Sequence, residues 1–256
     1  MANPLAFIGR KSISFVEQVG GVIFLLGRIF KSLPKLFGNF GLTVEQMSQM
    51  GVSSLPLVLL TSVFTGAVSS VQAAYQFQDF VPMRYLGTAV GKAVVIELGP
   101  VLTALVVAGR VGTSIAAELG TMKVTEQIDA LETLAIDPVP FLVTPRFIAG
   151  LTMLPILTIM ADFVAIMGGY TVALLFLDVS SHTFLSGLKM FFHFRDVIAG
   201  LFKAFIFGGI IATIGCYQGF QTRGGAKGVG QSTTRAVVIS SVLILIGDYF
   251  IASLLF

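Results

Sequence analysis

Five ionisable side chains lie within long apolar stretches of this 256-residue sequence: Lys92, Glu97, Asp162, Lys203 and Asp248. Each such group costs about 2.5–3.5 kcal/mol at the centre of a bilayer on insertion scales. Each is therefore expected to face a partner, water or the protein interior. Lys92 is near a membrane face, where its side chain can reach the head groups. We interpret Asp162 and Asp248 as hydrogen-bonding to neighbouring spans or to a second subunit.

Glu97 and Lys203 are the members of this set that we expect to meet. Glu97 precedes the sequence LGP at 98–100, which weakens a helix and frees backbone groups near the carboxylate. Two interpretations of Lys203 are open. It forms a structural ion pair with Glu97, or it holds the anionic head group of a ligand.

A second cluster is acidic and lies between two apolar stretches. Residues 116–138 read AAELGTMKVTEQIDALETLAIDP and hold five of the thirteen carboxylates: Glu118, Glu126, Asp129, Glu132 and Asp137. Thr125 is predicted to cap a helix that starts at Glu126 and stops at Asp137-Pro138. Its apolar face comprises Val124, Ile128, Leu131 and Ala135.

Two interpretations of this acidic helix are open. It docks into a groove on a basic soluble partner, or it is a solvated loop helix whose charges only fix the topology. Before it, small residues recur at every fourth position: Ala104, Ala108, Gly112, Ala116 and Gly120. This spacing lets helix backbones approach closely in lipid. It indicates either a rigid extension that transmits motion to the acidic helix or ordinary helix packing.

The sequence shows no catalytic apparatus. GAKGVGQS at 225–232 nearly fits the phosphate-binding loop pattern, but Gln231 replaces the lysine, and we interpret the segment as a flexible basic turn. The spacing of His182 and His193 matches no metal motif. Cys216 is the single cysteine, so an intrachain disulfide is excluded. We expect no metal, no cofactor in this chain and no nucleic-acid binding.

The elements that position these residues are membrane-spanning helices. Mean hydropathy is +0.92, and 55% of residues are hydrophobic, which predicts an all-α integral membrane protein with a single polytopic domain. Five spans are predicted at 52–74, 88–111, 147–177, 197–220 and 236–256. The third is long enough to tilt, or to bend at Pro155 or at 168–169.

The N-terminal segment 12–37 is apolar but interrupted by charges. We interpret it as an amphipathic helix at the cytoplasmic interface, with a sixth span as the alternative. Residues 1–45 are thus an interfacial region, and residues 46–256 form the bundle with a cytoplasmic segment at 114–138. Lys and Arg favour one side by eleven to three, which places the N-terminus in the cytoplasm and the C-terminus outside.

One long run, at 97–150, reads ELGPVLTALVVAGRVGTSIAAELGTMKVTEQIDALETLAIDPVPFLVTPRFIAG, and a second, at 233–241, reads TTRAVVISS. Both runs resemble the MlaE/YrbE family of ABC-transporter permeases. The resemblance implies a homodimeric permease of the bacterial inner membrane that transports phospholipid or another lipid. It also implies a cytoplasmic ATPase dimer that binds ATP and Mg²⁺, a periplasmic MCE-domain hexamer and, in some members, a STAS-domain protein.

The resemblance also implies site residues. The coupling helix falls at 126–134, with Glu126, Gln127, Asp129, Leu131 and Glu132 contacting the ATPase. Glu97 and Lys203 fall near a lipid cavity between two subunits. The further lipid contacts that we expect are Gln72, Tyr75, Leu98 and Lys92. Some relatives carry arginine where this chain has Ile96, and Lys92, one turn earlier, is a candidate to compensate.

Three function classes follow. The leading hypothesis is a non-catalytic, lipid-translocating subunit whose cavity is lined by the first, second and fifth spans. The second is an ion-coupled carrier that uses Glu97, Asp162 and Lys203 as a relay. The third is a membrane scaffold that tethers soluble partners.

Overall fold

The computed structural model describes residues 4–34, 40–77, 81–190 and 192–255. These residues form helices and no strand, which confirms the predicted all-α fold. Within the described ranges the α-helices are α1 (Pro4–Ser32), α2 (Phe40–Gly51), α3 (Leu55–Phe77), α4 (Leu86–Ala93), α5 (Gly99–Val107), α6 (Thr113–Val124), α7 (Gln127–Thr133), α8 (Thr144–Phe176), α9 (Ser181–Met190), α10 (Phe194–Phe220) and α11 (Gly225–Leu255).

Five helical segments of the described chain are long and apolar enough to cross a membrane, which confirms the predicted number. They are span I (Phe40–Phe77), span II (Met83–Val124), span III (Val139–Phe176), span IV (Phe194–Phe220) and span V (Gly225–Leu255). All five begin before their predicted first residue, and spans I and II also end beyond their predicted last residue, because an apolar run marks only part of a helix that continues through polar residues. Phe256, the predicted end of the fifth span, lies outside the described residues.

The N-terminal helix α1 begins at Pro4, eight residues before the predicted segment, and residues 35–37 of that segment lie outside the described ranges. Leu25 and Ile29 of α1 are buried against the bundle, whereas Phe24 and Phe30 are exposed. Helix α1 contacts α10 and the turn at Val139–Val143. It is thus an amphipathic helix that lies against the spans, and its depth in a bilayer stays a prediction.

Span II is one helical rod with two wide turns. A π-helical turn at Val94–Leu98 separates α4 from α5, and a second at Ala108–Gly112 separates α5 from α6. The first ends at the predicted weak point, two residues before Pro100. Forty-two helical residues with a rise of about 1.5 Å each give a rod of about 60 Å. π-Helical turns inside α-helices are frequent at functional sites.

Glycines set the closest helix crossings. A Cβ atom added at Gly150 of α8 would lie 2.6 Å from the carbonyl oxygen of Gly208 in α10. At Gly168 of α8 it would lie 2.5 Å from the carbonyl oxygen of Val63 in α3. The glycines at 168–169 are therefore a packing surface for α3, within a helix that is continuous through Pro155.

The small residues of span II face the bundle interior. Ala104, Ala108 and Ala116 are fully buried, Gly112 lies against Ile211 of span IV, and Gly120 lies against Thr222 just after that span. The repeat therefore packs the rod against its neighbours. Its role in transmitting motion stays a prediction.

The predicted flexible basic turn at 225–232 is wrong, because α11 begins at Gly225. Only residues 221–224 separate α10 from α11, and Gly224 has a φ of 86°, which favours glycine. The Thr222 hydroxyl donates a hydrogen bond of 2.8 Å to Ser232 Oγ and closes the hairpin. The error arose because the glycines and polar residues at 225–232 are typical of a loop, although here they form the first turns of α11.

Candidate functional site

Three of the five intramembrane charges gather into one cluster. Lys203 Nζ lies 2.6 Å from Glu97 Oε2 and 2.8 Å from Asp248 Oδ1. The Lys203 side chain has no exposed surface, whereas the Glu97 side chain is 46% exposed. Two carboxylates thus share one ammonium group, and Glu97 is the member that an approaching ligand meets first.

Three spans position this cluster. Glu97 lies in the π-helical turn of span II, Lys203 at the middle of α10 and Asp248 in α11. Gly200 lets α10 approach that turn, since a Cβ atom there would overlap the carbonyl oxygen of Val95. The ion pairs therefore tie spans II, IV and V together inside the bundle.

Of the two interpretations of Lys203, the structure contains the ion pair with Glu97. A direct contact of Lys203 with a head group would require the cluster to open, because its ammonium is enclosed. Sequence reasoning expected Asp248 to contact a neighbouring span but did not identify Lys203 as its partner. The signal was present, since a carboxylate inside an apolar span needs a partner, but pairing across 45 residues cannot be read from spacing.

Asp162 lies apart from the cluster, on α8. Its Oδ1 atom is buried and has no hydrogen-bond partner among the described residues. A Cβ atom added at Gly99 would overlap this oxygen, so the start of α5 packs directly on the carboxylate. The three-residue relay of Glu97, Asp162 and Lys203 is therefore joined by hydrogen bonding only between Glu97 and Lys203.

The other predicted lipid contacts are dispersed. Gln72 and Tyr75 are exposed near one end of α3, with Tyr75 74% exposed. Leu98 borders a narrow cleft against α3. Lys92 Nζ lies 3.4 Å from Asp196 Oδ2 of α10. Within the described chain none of these four hydrogen-bonds to the cluster, and their role in lipid binding stays a prediction.

The predicted acidic helix exists as α7, but both of its ends differ from the prediction. Thr125 is not its cap, because the Thr125 hydroxyl donates to the Thr121 carbonyl of α6 at 2.8 Å. Glu126 adopts the left-handed conformation with a φ of 61° and turns the chain between α6 and α7. Helix α7 ends at Thr133, and Ala135 has a φ of 59°, so the chain leaves the helix before Asp137.

Half of the acidic side chains near α7 are held by internal ion pairs. Asp129 Oδ1 lies 2.5 Å from Lys123 Nζ of α6, and Asp137 Oδ1 lies 2.7 Å from Arg28 Nη2 of α1. Glu126 and Glu132 are exposed, with no ion pair among the described residues. These two carboxylates are the free charges that α7 presents to water.

The apolar side of α7 faces inward. Ile128 is buried in the core, and Leu131 is partly buried against the same core. Leu131 therefore helps to hold α7 against the bundle, and its predicted contact with the ATPase stays a prediction. Ala135 lies outside the helix and is exposed, which corrects its place on the predicted apolar face. Leu134 and Ile136 are exposed beside the free carboxylates and were missed as surface residues. They flank Ala135, whose left-handed φ marks where the chain has left α7.

A half-buried ion pair joins α6 to α8. Arg146 Nη2 lies 2.8 Å from Glu118 Oε1, and Arg146 Nη1 donates a hydrogen bond of 2.6 Å to the Leu142 carbonyl. The Arg146 side chain is almost completely buried. Any displacement of α6 must therefore move α8 or break this pair.

Comparison with known proteins shows relatives along the whole chain. The model of a permease family described as Permease MlaE matches residues 43–254. A probable ABC transporter permease protein of Rickettsia typhi is 43% identical over 256 residues, covering 100% of this chain and 99% of that protein. The intermembrane phospholipid transport system permease protein MlaE of Haemophilus influenzae is 34% identical over 257 residues, covering 100% and 98%. The chloroplastic protein TRIGALACTOSYLDIACYLGLYCEROL 1 of Arabidopsis thaliana is 40% identical over 214 residues, covering 84% and 61%.

Proposed function

This chain belongs to the MlaE permease family, and from that premise we propose that it moves phospholipid as the non-catalytic subunit of an ABC transporter. ATP is bound with Mg²⁺ and hydrolysed by a separate cytoplasmic ATPase dimer. Two copies of this chain form the membrane core in the inner membrane. The name of the Haemophilus influenzae relative supports the phospholipid substrate.

One observation carries this proposal: span II runs as a single rod from the intramembrane cluster to α7. Glu97 lies in this rod, and its last helix, α6, ends at Val124, three residues before α7 begins. A force applied to α7 therefore reaches Glu97 along one continuous helical segment. Only residues 125 and 126 separate α6 from α7, so no long flexible linker lies between them.

The contacts around α7 support a role for this helix in transmitting motion from the ATPase to the spans. ATP binding closes the ATPase dimer and presses on α7, where Glu126 and Glu132 offer free charge to basic side chains. The Lys123–Asp129 ion pair links α7 to α6, and the Glu118–Arg146 ion pair links α6 to α8. A displacement of α7 is thereby passed to both α6 and α8. Span II then rocks against spans IV and V, and a lipid cavity between the two copies, lined by spans I, II and V, collapses.

The cluster is proposed to gate that cavity. Glu97 is half-exposed, so it can contact the polar part of a lipid, while Lys203 and Asp248 hold it in place from inside. Leu98, Gln72 and Tyr75 supply further contacts along the path. Rocking of span II shifts Glu97 relative to Lys203 and changes the affinity for lipid.

The topology and the remaining partners belong to the same proposal. The excess of Lys and Arg on one side supports a cytoplasmic location for α7 and the N-terminus and a periplasmic location for the C-terminus. A periplasmic MCE-domain hexamer receives or delivers the lipid. A cytoplasmic STAS-domain protein is a further candidate partner.

The test is lipid transfer by purified chain reconstituted in proteoliposomes with and without the ATPase. We expect transfer only with the ATPase and ATP, and loss of transfer with Glu97→Ala while the ATPase stays bound. As a matched control, Glu45→Ala removes an exposed carboxylate of α2 and should leave transfer unchanged. Normal transfer by Glu97→Ala would refute the role of the cluster.

An ion-coupled carrier is the alternative, and the buried, unpartnered Oδ1 atom of Asp162 favours it. A carboxylate in that state is suited to bind and release a proton or cation during transport. This alternative predicts transport driven by an ion gradient in liposomes that hold this chain alone. It also predicts that Asp162→Asn abolishes transport, whereas the ABC proposal does not require this carboxylate.

A further inference from the structure

A cavity of about 540 Å³ opens at the end of the bundle opposite to α7. It lies where spans II, IV and V meet, and its lining residues are Lys92, Ile96, His193, Arg195, Asp196 and Leu255. Its size suits a phosphate-containing head group with part of its glycerol. It is separate in composition from the Glu97 cluster, with which it shares no residue.

Charge in this cavity is not balanced. Lys92 and Arg195 bring two positive charges, and Asp196 is the one carboxylate among the lining residues. Lys92 Nζ lies 3.4 Å from Asp196 Oδ2, which is a loose ion pair, and the Asp196 side chain is largely buried. Arg195 Nη2 donates to the Leu255 carbonyl at 2.8 Å, and the guanidinium has further N–H groups to donate. The cavity therefore carries a net positive charge.

The start of α10 adds positive potential, part of which is offset by the carboxyl end of α11 at Leu255, because the last carbonyl groups of a helix are negative. Helix α10 begins at Phe194 and runs for 27 residues, and the side chain of His193 does not cap it. The first backbone N–H groups of a helix lack partners within the helix and attract anions. Arg195 lies in this first turn, so its side chain and the helix terminus act on the same region.

Apolar surface surrounds the charged centre. Ile96 and Leu255 line the cavity itself. Phe192 and Phe194, on either side of His193, are both exposed. A cationic centre framed by apolar walls in a membrane protein is suited to a molecule that has an anionic group and hydrocarbon chains.

We propose that this cavity binds the phosphate group of a membrane lipid, held by Lys92, Arg195 and the first turn of α10. The inference rests on the proposed lipid transport and extends it, because it adds a cationic subsite to the anionic cluster at Glu97. A lipid that carries a net negative charge is favoured over a zwitterionic one. Free inorganic phosphate shares the recognised group and is the alternative source of the ligand.

The experiment measures lipid binding by the full chain in nanodiscs of phosphatidylcholine that contain a minor fraction of phosphatidylglycerol. Lipids retained after extraction are counted by native mass spectrometry. Wild type should be enriched in phosphatidylglycerol, and Lys92→Gln with Arg195→Gln should lower this enrichment about tenfold, because two charge-assisted contacts are removed. The matched control, Lys189→Gln on α9, removes an exposed charge from the same end of the bundle and should retain the enrichment.

A second arm uses inorganic phosphate with the detergent-solubilised chain. If phosphate competes with phosphatidylglycerol in wild type and not in the double variant, the site recognises the phosphate group from either source. If phosphate does not compete and the enrichment still depends on Lys92 and Arg195, the ligand is the lipid. Equal enrichment in wild type and the double variant would overturn the proposal.

Loss of folding is separated from loss of the site by Lys92→Arg with Arg195→Lys, which keeps both charges and should keep the enrichment. Failure of the proposed function is also distinguishable. It would appear as no ATP-dependent lipid transfer by wild type, while the preference for phosphatidylglycerol would still depend on Lys92 and Arg195.

Discussion

Ion pairs occur in two regions of this protein with nearly equal lengths and very different surroundings. In the intramembrane cluster, Lys203 lies 2.6 Å from Glu97 and is fully enclosed. At α7, Lys123 lies 2.5 Å from Asp129, and about half of the Asp129 side chain is exposed. The two carboxylates are about equally exposed, and the difference lies in the cations: Lys203 is enclosed, whereas about a third of the Lys123 side chain is exposed. The same chemistry therefore has different consequences.

The difference separates ion pairs that are costly to break from ion pairs that break at little cost. A buried pair that loses one partner leaves an unpaired charge, which is strongly destabilising. An exposed pair contributes between about 0 and 1 kcal/mol, because water replaces the lost partner. Shifting Glu97 away from Lys203 therefore requires work on spans II, IV and V, whereas the contacts of α7 can exchange at low cost when a partner docks.

The largest expected effect is that of Lys203→Met, which leaves Glu97 and Asp248 without their shared cation. We expect a loss of about 3–5 kcal/mol of stability, because two carboxylates remain together in the span interior. Unfolding in mixed micelles, followed by circular dichroism, measures it. The triple variant Lys203→Met, Glu97→Gln, Asp248→Asn removes all three charges and should recover much of the loss. A single variant as stable as wild type would show that the cluster does not hold the spans.

An intermediate effect is expected for Glu118→Gln. Arg146 is nearly buried, and without the carboxylate it keeps its bond to the Leu142 carbonyl but loses its counter-charge. We expect a loss of about 1–3 kcal/mol in the same unfolding assay. The control Glu132→Gln changes an exposed carboxylate on α7 and should have little effect. Equal stability of both variants would show that the Glu118–Arg146 ion pair contributes no more to stability than an exposed ion pair does.

A smaller effect is expected for Asp129→Asn. This change removes the pair with Lys123 but leaves both side chains in water, so stability should fall by at most about 1 kcal/mol. High salt should reduce even this difference, because it screens exposed charges. A loss as large as that of Lys203→Met would contradict the distinction between the two regions.

The smallest effect on stability is expected for Glu126→Arg with Glu132→Arg, which changes two exposed residues without ion pairs in the described chain. Stability should stay within about 0.5 kcal/mol of wild type. Co-purification with the ATPase from detergent should nevertheless be lost, since the free negative charge of α7 is reversed. Retained ATPase binding would refute the docking role of α7.

The spans were predictable because an apolar run of sufficient length has few alternatives in a membrane protein. Their ends were not, since α11 starts at Gly225 among polar residues that resemble a loop. The pairing of Lys203 with Glu97 was one of two open interpretations. Asp248 was missed as its second partner, because the rotation of α11 relative to α10 depends on packing along the whole interface.

At α7 the sequence predicted the helix and misplaced its boundaries. Thr125 has the residue type of a cap, but its hydroxyl bonds back to Thr121, and Glu126 takes the left-handed turn instead. A non-glycine residue in that conformation is uncommon and is stabilised by surrounding contacts that a local pattern does not contain.

The central claim is that span II carries motion from α7 to Glu97 as a rigid rod. Ser114→Gly with Thr121→Gly softens α6 at two exposed positions, by up to about 1 kcal/mol of helix propensity at each. Thr234→Gly with Val238→Gly softens the exposed face of α11 in the same way and is the control. ATP-driven lipid transfer in proteoliposomes that contain the ATPase is the measurement. Loss of transfer in the α6 variant alone, with ATPase binding and ATP hydrolysis retained, is the result that we predict. Full transfer by the α6 variant would contradict the claim.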